Sequence, residues 1–332
     1  MKKEKGLDGK GQPFSFGFCD SLLAEVAGVG LDRLHRDLAA ILKAHEAIKP
    51  VAERLGVEAP RLHLPGFAYC HLAALGAEIV FPENSEPKPL PLLKTPEEID
   101  HLKEPRNYLA APLIRERLDL VARLKEKDPQ ASSSIGHLFE GPLTTAMLLL
   151  GEKFLYLCYD DPARAHKLLD FCVSSALNYT RAIVQTQGEK LEPGPRGIPD
   201  DFAGLLPPAL FQEFVLPYWE KLYRGLQATQ RHLHSELLRA EHLGYLKEVN
   251  IGCFDPSADQ YLTPEILKEY CPCPFTLGIL SWHLRDMSAD KLEEFYLKLA
   301  GFQPAMISFY MSRLQEEEKI RRLLKVAREW QE

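Results

Sequence analysis

The segment of the sequence with the clearest chemical potential is Arg231-His232-Leu233-His234-Ser235-Glu236. It ends a predicted strand over residues 229–234, and alternate side chains of a strand point to the same face, so His232 and His234 share one face. Two imidazoles at this spacing can bind one zinc ion, and Glu236 just beyond them is a further ligand or an acceptor that orients a ring. We therefore predict a zinc site of His232, His234 and Glu236. A pair of hydrogen-bonded histidines without a metal is the alternative.

Acidic residues follow three other predicted strands. Glu83 follows the second strand, Glu140 the third and Asp201 the fourth. Carboxylates gathered at one end of a sheet would suit a metal ion, a cationic substrate or general acid–base catalysis. We predict these three residues to be catalytic. The alternative is that they cap the helices that follow, because carboxylates are stabilised near the N-terminus of a helix.

Three polar residues after the last three strands complete the predicted site. Asp255 follows the sixth strand, His283 the seventh, and Tyr310 lies at the end of the eighth. We predict that they bind substrate, with Asp255 also open to a role as a metal ligand. Cys271 and Cys273 come just before the seventh strand, at the opposite end of the sheet, and are expected to be ordinary buried thiols.

These residues can form one site only if the strands that precede them all end on the same side of a sheet. Short apolar runs alternate with longer helical patterns, and the predicted strands are 61–64, 77–81, 134–139, 197–200, 229–234, 249–254, 274–280 and 305–310. Eight strands that each lead to a helix predict an α/β fold, a single (β/α)8 TIM barrel, with the active site in the loops after the strands. An open doubly wound sheet would be expected to carry a glycine-rich phosphate turn, and the sequence has none.

Helical periodicity and capping signals fill the intervals between the strands. Predicted helices cover residues 144–151, 162–187, 208–226, 288–301 and 312–330. Asp161-Pro162 and Thr263-Pro264 each supply an N-cap residue followed by proline at the first helical position. Residues 1–60 are expected to be a helical extension that packs on the barrel formed by residues 61–332.

The composition limits the possible partners and compartments. The chain has 332 residues, of which 45% are hydrophobic and 26% charged, so it can bury a large core. A net charge of −7 disfavours nucleic-acid binding. No apolar stretch approaches the roughly 20 residues of a membrane helix, and no signal peptide is visible. Seven scattered cysteines do not form a disulfide framework, so a cytoplasmic location is predicted.

Several segments resemble the uroporphyrinogen decarboxylase superfamily. Residues 75–81, LGAEIVF, are similar to its second-strand motif, and residues 141–144 and 159–162 resemble the turn after its third strand and the start of its next helix. The closest match is LPPALFQEFVLPY at residues 206–218. The resemblance covers about residues 65–330 and implies one (β/α)8 barrel.

The residues that distinguish true decarboxylases are different in this sequence. No arginine-rich loop of their kind occurs before Pro65. The positions that resemble their pyrrole-binding aspartate, active-site tyrosine, serine and C-terminal histidine are occupied by Glu83, Leu148, Asp201 and Tyr310. The resemblance therefore disfavours decarboxylation of a tetrapyrrole.

The other branch of the superfamily consists of zinc-dependent methyltransferases that use a corrinoid. Its metal motif is H-x-C on the fifth strand, with a cysteine after the eighth strand. Here His232 matches the histidine, His234 stands in place of the cysteine, and residues 307–311 contain no cysteine. A zinc site made of nitrogen and oxygen ligands is a stronger Lewis acid, which suits polarising an ether or alcohol oxygen.

The sequence therefore predicts a metal-dependent methyltransferase. It would move a methyl group between a small methylated substrate (an ether, alcohol, amine or thiol) and a corrinoid carried by a partner protein, with zinc as its cofactor. Two alternatives stay open: a uroporphyrinogen decarboxylase-type enzyme of tetrapyrrole biosynthesis, and a non-catalytic barrel that binds a small molecule or a corrinoid partner.

Overall fold

A computed structural model describes residues 11–136 and 139–331 of the chain. The strands found there are β1 (Phe14–Phe18), β2 (Ile79–Val80), β3 (Lys88–Pro89), β4 (Gly194–Pro199), β5 (Ala228–His234), β6 (Cys253–Asp255), β7 (Thr276–Ile279) and β8 (Met306–Met311). The α-helices are α1 (Asp20–Ala27), α2 (Leu31–Arg36), α3 (Leu38–Leu55), α4 (Cys70–Leu75), α5 (Pro112–Lys127), α6 (Pro142–Leu150), α7 (Lys153–Asp160), α8 (Pro162–Thr186), α9 (Pro208–Phe214), α10 (Leu216–Gly225), α11 (Ala240–Leu243), α12 (Pro264–Tyr270), α13 (Ser281–Asp286), α14 (Ala289–Gly301) and α15 (Glu317–Gln331).

Six of these strands are parallel and form two ladders, β4-β5-β6 and β7-β8-β1. A parallel bridge between Phe254 and Phe275 connects the two ladders, so β6 and β7 lie side by side. The strands alternate with helices along the chain, which is the pattern of an α/β fold with parallel sheets. All six strands therefore end on the same side, where β4, β5 and β6 bring together the loops that carry the candidate site.

Two extended segments without a strand ladder lie beside the parallel strands. Ser132 N donates to Leu62 O at 2.9 Å, and Gly141 N donates to Pro199 O at 2.5 Å, so the chain around residue 132 contacts the segment after residue 61 and the chain at residue 141 contacts the end of β4. Residues 61–64 and 134–136 were predicted as strands but do not form one, and residues 137–138 of the third predicted strand lie outside the described residues.

The buried guanidinium of Arg117 on α5 donates hydrogen bonds to both of these irregular segments. Its Nε donates to Ile135 O and its Nη2 donates to Pro65 O, both at 2.5 Å, and it lies over the ring of Phe67 at 4.5 Å. One side chain thus holds the two irregular segments through their carbonyls. Arg117 is only 1% exposed, so its guanidinium has lost hydrogen bonds to water. The bonds to the two carbonyls compensate for this loss.

The expectation of a purely helical N-terminal extension needs a correction. Helices α1 to α3 are present as expected, but residues 14–18 form β1, which pairs in parallel with β8 from Phe14 opposite Ile307 to Phe18 opposite Met311. The reason is the alternation Phe14-Ser-Phe16-Gly-Phe18, which is a strand pattern. The prediction of a helical extension over residues 1–60 did not include it. This segment belongs to the sheet.

The predicted second strand, 77–81, also differs from the structure. Only Ile79 and Val80 are in a strand, and they pair antiparallel with β3 in a short hairpin. The predicted helix over residues 208–226 is divided into α9 and α10 at Val215, because Pro217 cannot donate a helical hydrogen bond. The predicted helices 144–151, 162–187 and 288–301 are confirmed with ends shifted by one or two residues, whereas the one predicted over 312–330 begins only at Glu317, after a 3-10 turn at Leu314–Glu316.

The outward-facing side chains of the strands pack against the helices to form the main core. Ile198, Leu233, Phe254, Ile307 and Phe309 are fully or almost fully buried there. Helix starts follow the predicted caps: Asp161 accepts from Arg164 N, and Thr263 accepts from Ile266 N. Within the described part of the chain, none of the helices combines the length and apolar character needed to cross a membrane.

Candidate functional site

His234 lies at the centre of a group of carboxylates at the ends of three adjacent strands. The register places His234 opposite Pro199 on β4 and opposite Asp255 on β6. His234 Nδ1 makes a 2.9 Å hydrogen bond with Asp255 Oδ2. On the other side of the ring, Nε2 lies 3.4 Å from Asp201 Oδ1 and 3.9 Å from Glu236 Oε1. We call His234, Asp255, Asp201, Glu236 and Glu140 the His234 cluster.

Asp255 is fixed in place and in turn orients the imidazole. Its Oδ1 accepts from Thr276 Oγ1 at 2.7 Å and from Ser257 N at 3.0 Å. Burial alone would raise the pKa of Asp255, but the hydrogen bonds from His234 and Thr276 hold it below the usual value. The ring of His234 therefore keeps its Nδ1 hydrogen on Asp255 and presents Nε2 to the other carboxylates.

The surrounding acids also set the charge of His234. Burial alone would lower the pKa of the imidazole, but the hydrogen bond to Asp255 and the negative charges of Asp201 and Glu236 raise it to about 9. At neutral pH the ring is a cation that holds a proton on each nitrogen. The Nε2 proton is the one that can be given to a bound molecule.

Glu140 and Asp201 are the two acids with the most strongly raised pKa values in this group. Burial, together with the charges of Asp201 and Asp200, raises the pKa of Glu140 to about 8. Burial also raises the pKa of Asp201 to about 6, against the lowering effect of His234. Glu140 Oε2 is buried without a hydrogen-bond partner, and Asp201 Oδ1 is buried beside His234 Nε2 at 3.4 Å, beyond a good hydrogen bond. Buried oxygens that lack full hydrogen bonds beside a histidine are the kind of groups that a ligand satisfies.

Asp200, next to Asp201, has a structural task instead. It is fully buried, and its carboxylate accepts from Thr144 N at 2.7 Å, from Leu143 N at 3.4 Å and from Trp219 Nε1 at 2.6 Å. It therefore caps the N-terminus of α6 from a different loop. Gly141 makes this approach possible, because a Cβ there would lie 2.4 Å from the Asp200 side chain.

The donor atoms around His234 Nε2 are of types that can bind a divalent cation. Ligands held about 2.0–2.1 Å from a tetrahedral zinc ion lie roughly 3.4 Å apart, which is close to the separations of Nε2 from Asp201 and Glu236. A ring anchored by a carboxylate through Nδ1 and free at Nε2 is a usual arrangement for a zinc-binding histidine. As the side chains stand, no three His, Cys, Asp or Glu residues among residues 11–136 and 139–331 form a group that could hold a metal ion.

His232, the other histidine of the predicted zinc site, lies two residues earlier on β5 and is exposed. It is opposite Gly197 and Cys253 in the register, and it lines a cavity of about 430 Å³ with Thr229, Gln230, Arg231, Asn250 and Gly252. No hydrogen bond, ion pair or ring contact within the described residues joins its ring to His234 or Glu236. The structure thus brings His234 and Glu236 together and adds Asp201 to them, while His232 remains a predicted ligand.

Of the remaining predicted residues, Tyr310 lies nearest the cluster. Its ring packs against Gly17, where a Cβ would come within 2.9 Å of two ring carbons, and it is about half exposed. Burial and then the charge of Asp255 raise the pKa of Tyr310, which places the phenol within the field of that carboxylate. Since Phe309 is buried in the core on the outer face of β8, its neighbour Tyr310 points to the inner face.

Glu83 and His283 make contacts of a different kind. Glu83 is exposed, and its backbone oxygen accepts from Leu31 N at the start of α2. His283 Nδ1 accepts from Leu280 N at 3.0 Å, so it caps α13, and its ring lies 4.7 Å from that of Phe295. Neither residue has a contact with the His234 cluster within the described part of the chain. The ring of His283 thus has a local structural role, whereas Glu83 is bonded through its backbone and its catalytic role stays a prediction.

Thr276 is the site residue that sequence reasoning missed. It is the first residue of β7, and its hydroxyl supports Asp255 from the neighbouring strand. The only sequence signal was a hydroxyl residue near the start of an apolar strand, which is common and carries no specificity. Its role follows from the adjacency of β6 and β7 rather than from its own type.

Comparisons with known proteins give a family and a fold. A family model described as uroporphyrinogen decarboxylase (URO-D) matches residues 29–263. No curated protein matches this sequence. A solved structure described as a methyltransferase from Methanosarcina mazei is similar with a TM-score of 0.70 and 16% sequence identity, over 96% of this chain and 94% of that one. At this identity the likeness shows a shared fold along almost the whole length.

Proposed function

The chain belongs to the uroporphyrinogen decarboxylase family, and from that premise we propose that it is a metal-dependent methyltransferase. It would move a methyl group between a small methylated substrate and a corrinoid carried by a partner protein. The observation that carries the proposal is the His234 cluster, which combines a charged histidine with two buried acids, Glu140 and Asp201, whose pKa values are raised. The methyltransferase from Methanosarcina mazei supports the proposal through its fold.

We propose further that the sheet closes as a (β/α)8 barrel. The six parallel strands would be completed by the segments at 61–67 and 132–136, which Arg117 ties together at Pro65 and Ile135. In such a barrel the chemistry lies in the loops after the strands. Asp201 after β4, Glu236 after β5 and Asp255 at the end of β6 all meet this condition.

The residues of the cluster can support the departure of a group that gives up its methyl. When the bond from the methyl carbon to oxygen or nitrogen breaks, its electron pair stays on the heteroatom, which then needs a proton or a positive charge beside it. His234 Nε2 can donate that proton, since Asp255 holds the ring by Nδ1. Glu140, protonated near neutral pH, is a second donor within the same group.

Zinc, when bound, would supply a Lewis acid for the same heteroatom, with His232, His234 and Glu236 as its predicted ligands and Asp201 beside them. A metal at His234 Nε2 would take the place of the proton there, so the two roles of this atom exclude each other. The corrinoid of the partner protein would act as the nucleophile that receives the methyl group, or would donate it in the opposite direction. In either case Asp255 keeps its task, because it fixes the imidazole that faces the substrate.

The charge of the cluster limits the substrate. Four carboxylates, those of Asp255, Asp201, Glu236 and Glu140, face one histidine, so the site stays electronegative even with one or two protons bound. A neutral or positively charged methylated substrate, such as a methylated amine, fits this field. An anionic substrate would meet repulsion. Methylated amines and ethers are therefore the donors to test first.

The loops around the site expose large apolar side chains that suit a protein partner. Leu205 follows β4, Tyr261 follows β6, Trp282 follows β7 and Leu314 follows β8, and each is more than a third exposed. Aromatic and apolar residues are enriched in protein interfaces, and a corrinoid protein has to dock over the site to deliver its cobalt. This rim supports the partner proposed here.

A methyl-transfer assay tests the proposal directly. The protein, with and without added zinc, is mixed with cob(I)alamin and separate methylated amines, ethers, alcohols and thiols, and methylcobalamin formation is followed by absorbance. We expect at least one donor to react. Conversion of uroporphyrinogen to a decarboxylated product, with no methyl transfer from any donor, would replace the proposal with the decarboxylase alternative. Donor binding without either reaction would favour a non-catalytic role.

A further inference from the structure

Two thiols lie in contact at the end of the sheet opposite the His234 cluster. Cys271 follows the last residue of α12, and Cys273 comes three residues before β7, with exposed Pro272 between them. Their Sγ atoms are 3.8 Å apart, and both residues are partly exposed. Among the described residues, no other two cysteine sulfurs are in contact. This pair takes no part in the function proposed above.

The contact makes the two sulfurs chemically unequal. The hydrogen bond with Cys273 lowers the pKa of Cys271, against the opposing effect of burial. The same hydrogen bond, with burial, raises the pKa of Cys273 far above that of an ordinary thiol. Cys271 is therefore the sulfur that forms a thiolate first, and the thiolate is the nucleophile in thiol–disulfide exchange.

We infer that Cys271 and Cys273 are a redox-active dithiol, which a low-molecular-weight disulfide oxidises to a disulfide within the chain. The Cys271 thiolate attacks one sulfur of the small disulfide, whose S–S bond breaks to release one thiol. Cys273 then loses its proton to solvent and attacks the Cys271 sulfur, which forms the protein disulfide and releases the second thiol. Two electrons pass from the protein sulfurs to the small disulfide, which becomes two thiols.

The geometry needs little rearrangement for this step. A disulfide bond is about 2.0 Å long, so the sulfurs must come about 1.8 Å closer than they are now. Rotation of partly exposed side chains in a loop can supply this movement. The loop leads directly into the contact between β6 and β7, where Pro274 O accepts from Phe254 N at 2.9 Å. Oxidation would thus fix the chain at the start of β7.

Mass spectrometry of the reduced full-length protein tests the inference. The protein is incubated with oxidised glutathione, free thiols are alkylated, and a tryptic digest is analysed for the peptide of residues 269–285. We expect this peptide to lose two hydrogens and to carry no alkyl group. Because ring closure is intramolecular, its disulfide fraction should exceed any glutathione adduct at Cys19 or Cys253 by about tenfold or more.

Two variants separate the steps of the exchange. Cys273→Ser should accumulate a glutathione adduct on Cys271, because the second attack is lost. Cys271→Ser cannot form the protein disulfide, and Cys273, which then lacks the hydrogen bond with Cys271 that raises its pKa, can form only a glutathione adduct. Wild-type protein in which both cysteines remain alkylated after oxidation, or carry glutathione without closing, would overturn the inference. This wild-type measurement decides the matter even if a variant fails to fold.

Discussion

The chemistry of His234 depends on which of its ring nitrogens each neighbouring carboxylate contacts. Asp255 binds His234 through Nδ1, which leaves Nε2 toward Asp201 and Glu236. Without Asp255 the ring would lose both its orientation and the largest of the interactions that favour its charged form. The pair of His234 and Asp255 is therefore the unit that makes the site able to deliver a proton.

Asp255→Asn should lower the pKa of His234 from about 9 toward the ordinary value near 6.5. An amide can still accept from Nδ1, but it adds no negative charge. The change is measured by NMR titration of the His234 ring protons. Asp259→Asn is the matched control, because Asp259 lies in the following loop and caps Tyr261 N and Leu262 N instead. An unchanged pKa of His234 in Asp255→Asn would contradict the assignment.

Glu140 should make the folded protein less stable as the pH rises. Its pKa of about 8 is above the unfolded value of 4.5, so the folded state binds the proton more tightly. The stability that this proton contributes is complete below pH 4.5 and is lost as the pH rises to about 8. Glu140→Gln should remove this loss and narrow the difference in unfolding free energy between pH 5 and pH 8.5 by more than about 1 kcal/mol.

Denaturant unfolding at the two pH values measures the Glu140 effect. Glu152→Gln serves as the control, since Glu152 lies beyond the other end of α6. If Glu140→Gln kept the full pH dependence of the wild-type protein, Glu140 would not hold a proton in the folded state at neutral pH.

At the scale of the elements, irregular segments are held by side chains where a strand ladder is missing. Arg117 on α5 contacts the carbonyls of Pro65 and Ile135, so one helix joins two segments that share few backbone bonds. These segments lead toward the hairpin β2-β3 on one side and toward Glu140 on the other. Their fixation therefore bears on the position of a site residue as well as on stability.

Arg117→Ala should lower the free energy of unfolding by about 2–4 kcal/mol, because two buried carbonyls lose their charged donor and Ile135 O keeps the long 3.5 Å contact with Cys70 Sγ. Arg123→Ala on the same helix is the control, since Arg123 is half exposed and pairs only with Asp119 at 3.6 Å. Urea unfolding followed by circular dichroism compares the two. Equal midpoints for the two variants would show that Arg117 does not tie the segments together.

The helices could be predicted from the sequence more fully than the strands, and the reason is physical. The start of α8 depends on Asp161 and Pro162, which are local signals, and the prediction of 162–187 differs from the structure by one residue. A strand depends on its partner instead. β1 exists because residues 306–311 lie beside it, nearly the whole chain away, and residues 61–64 lack such a ladder.

Most residues of the candidate site could also be predicted from the sequence, but not how they pair. The H-x-H spacing pointed to His234, and the positions after strands pointed to Glu140, Asp201, Glu236 and Asp255. What the sequence could not show was the pairing of His234 with Asp255 and Thr276, because that depends on the register of three strands. It also could not show that His283 would be used as a helix cap.

At the scale of the whole molecule, the two ends of the chain meet in one sheet. β1 pairs with β8 over five residues, and the ring of Tyr310 on β8 covers Gly17 on β1. Gln12 adds a hydrogen bond to Pro304 O at 2.9 Å. The sheet near Tyr310 therefore depends on residues from both ends of the chain.

Removal of residues 1–19 should strongly destabilise the protein, because it deletes β1 and exposes the edge of β8. A chain that begins at residue 11 keeps β1 and serves as the control. Thermal unfolding followed by circular dichroism distinguishes them, with a large fall of the midpoint or loss of cooperative unfolding expected only for the first. If both unfolded at the temperature of the full chain, β1 would be dispensable to the sheet.

The central claim is that His234 serves methyl transfer, and the rate of methylcobalamin formation by matched variants tests it most directly. With the best donor and cob(I)alamin, the account predicts that His234→Ala lowers kcat/KM by about 100-fold or more, as expected for loss of an acid–base group. His283→Ala should stay within about threefold of the wild-type value, since its ring caps a helix. Equal activity of wild-type protein and His234→Ala, with both folded, would contradict the account.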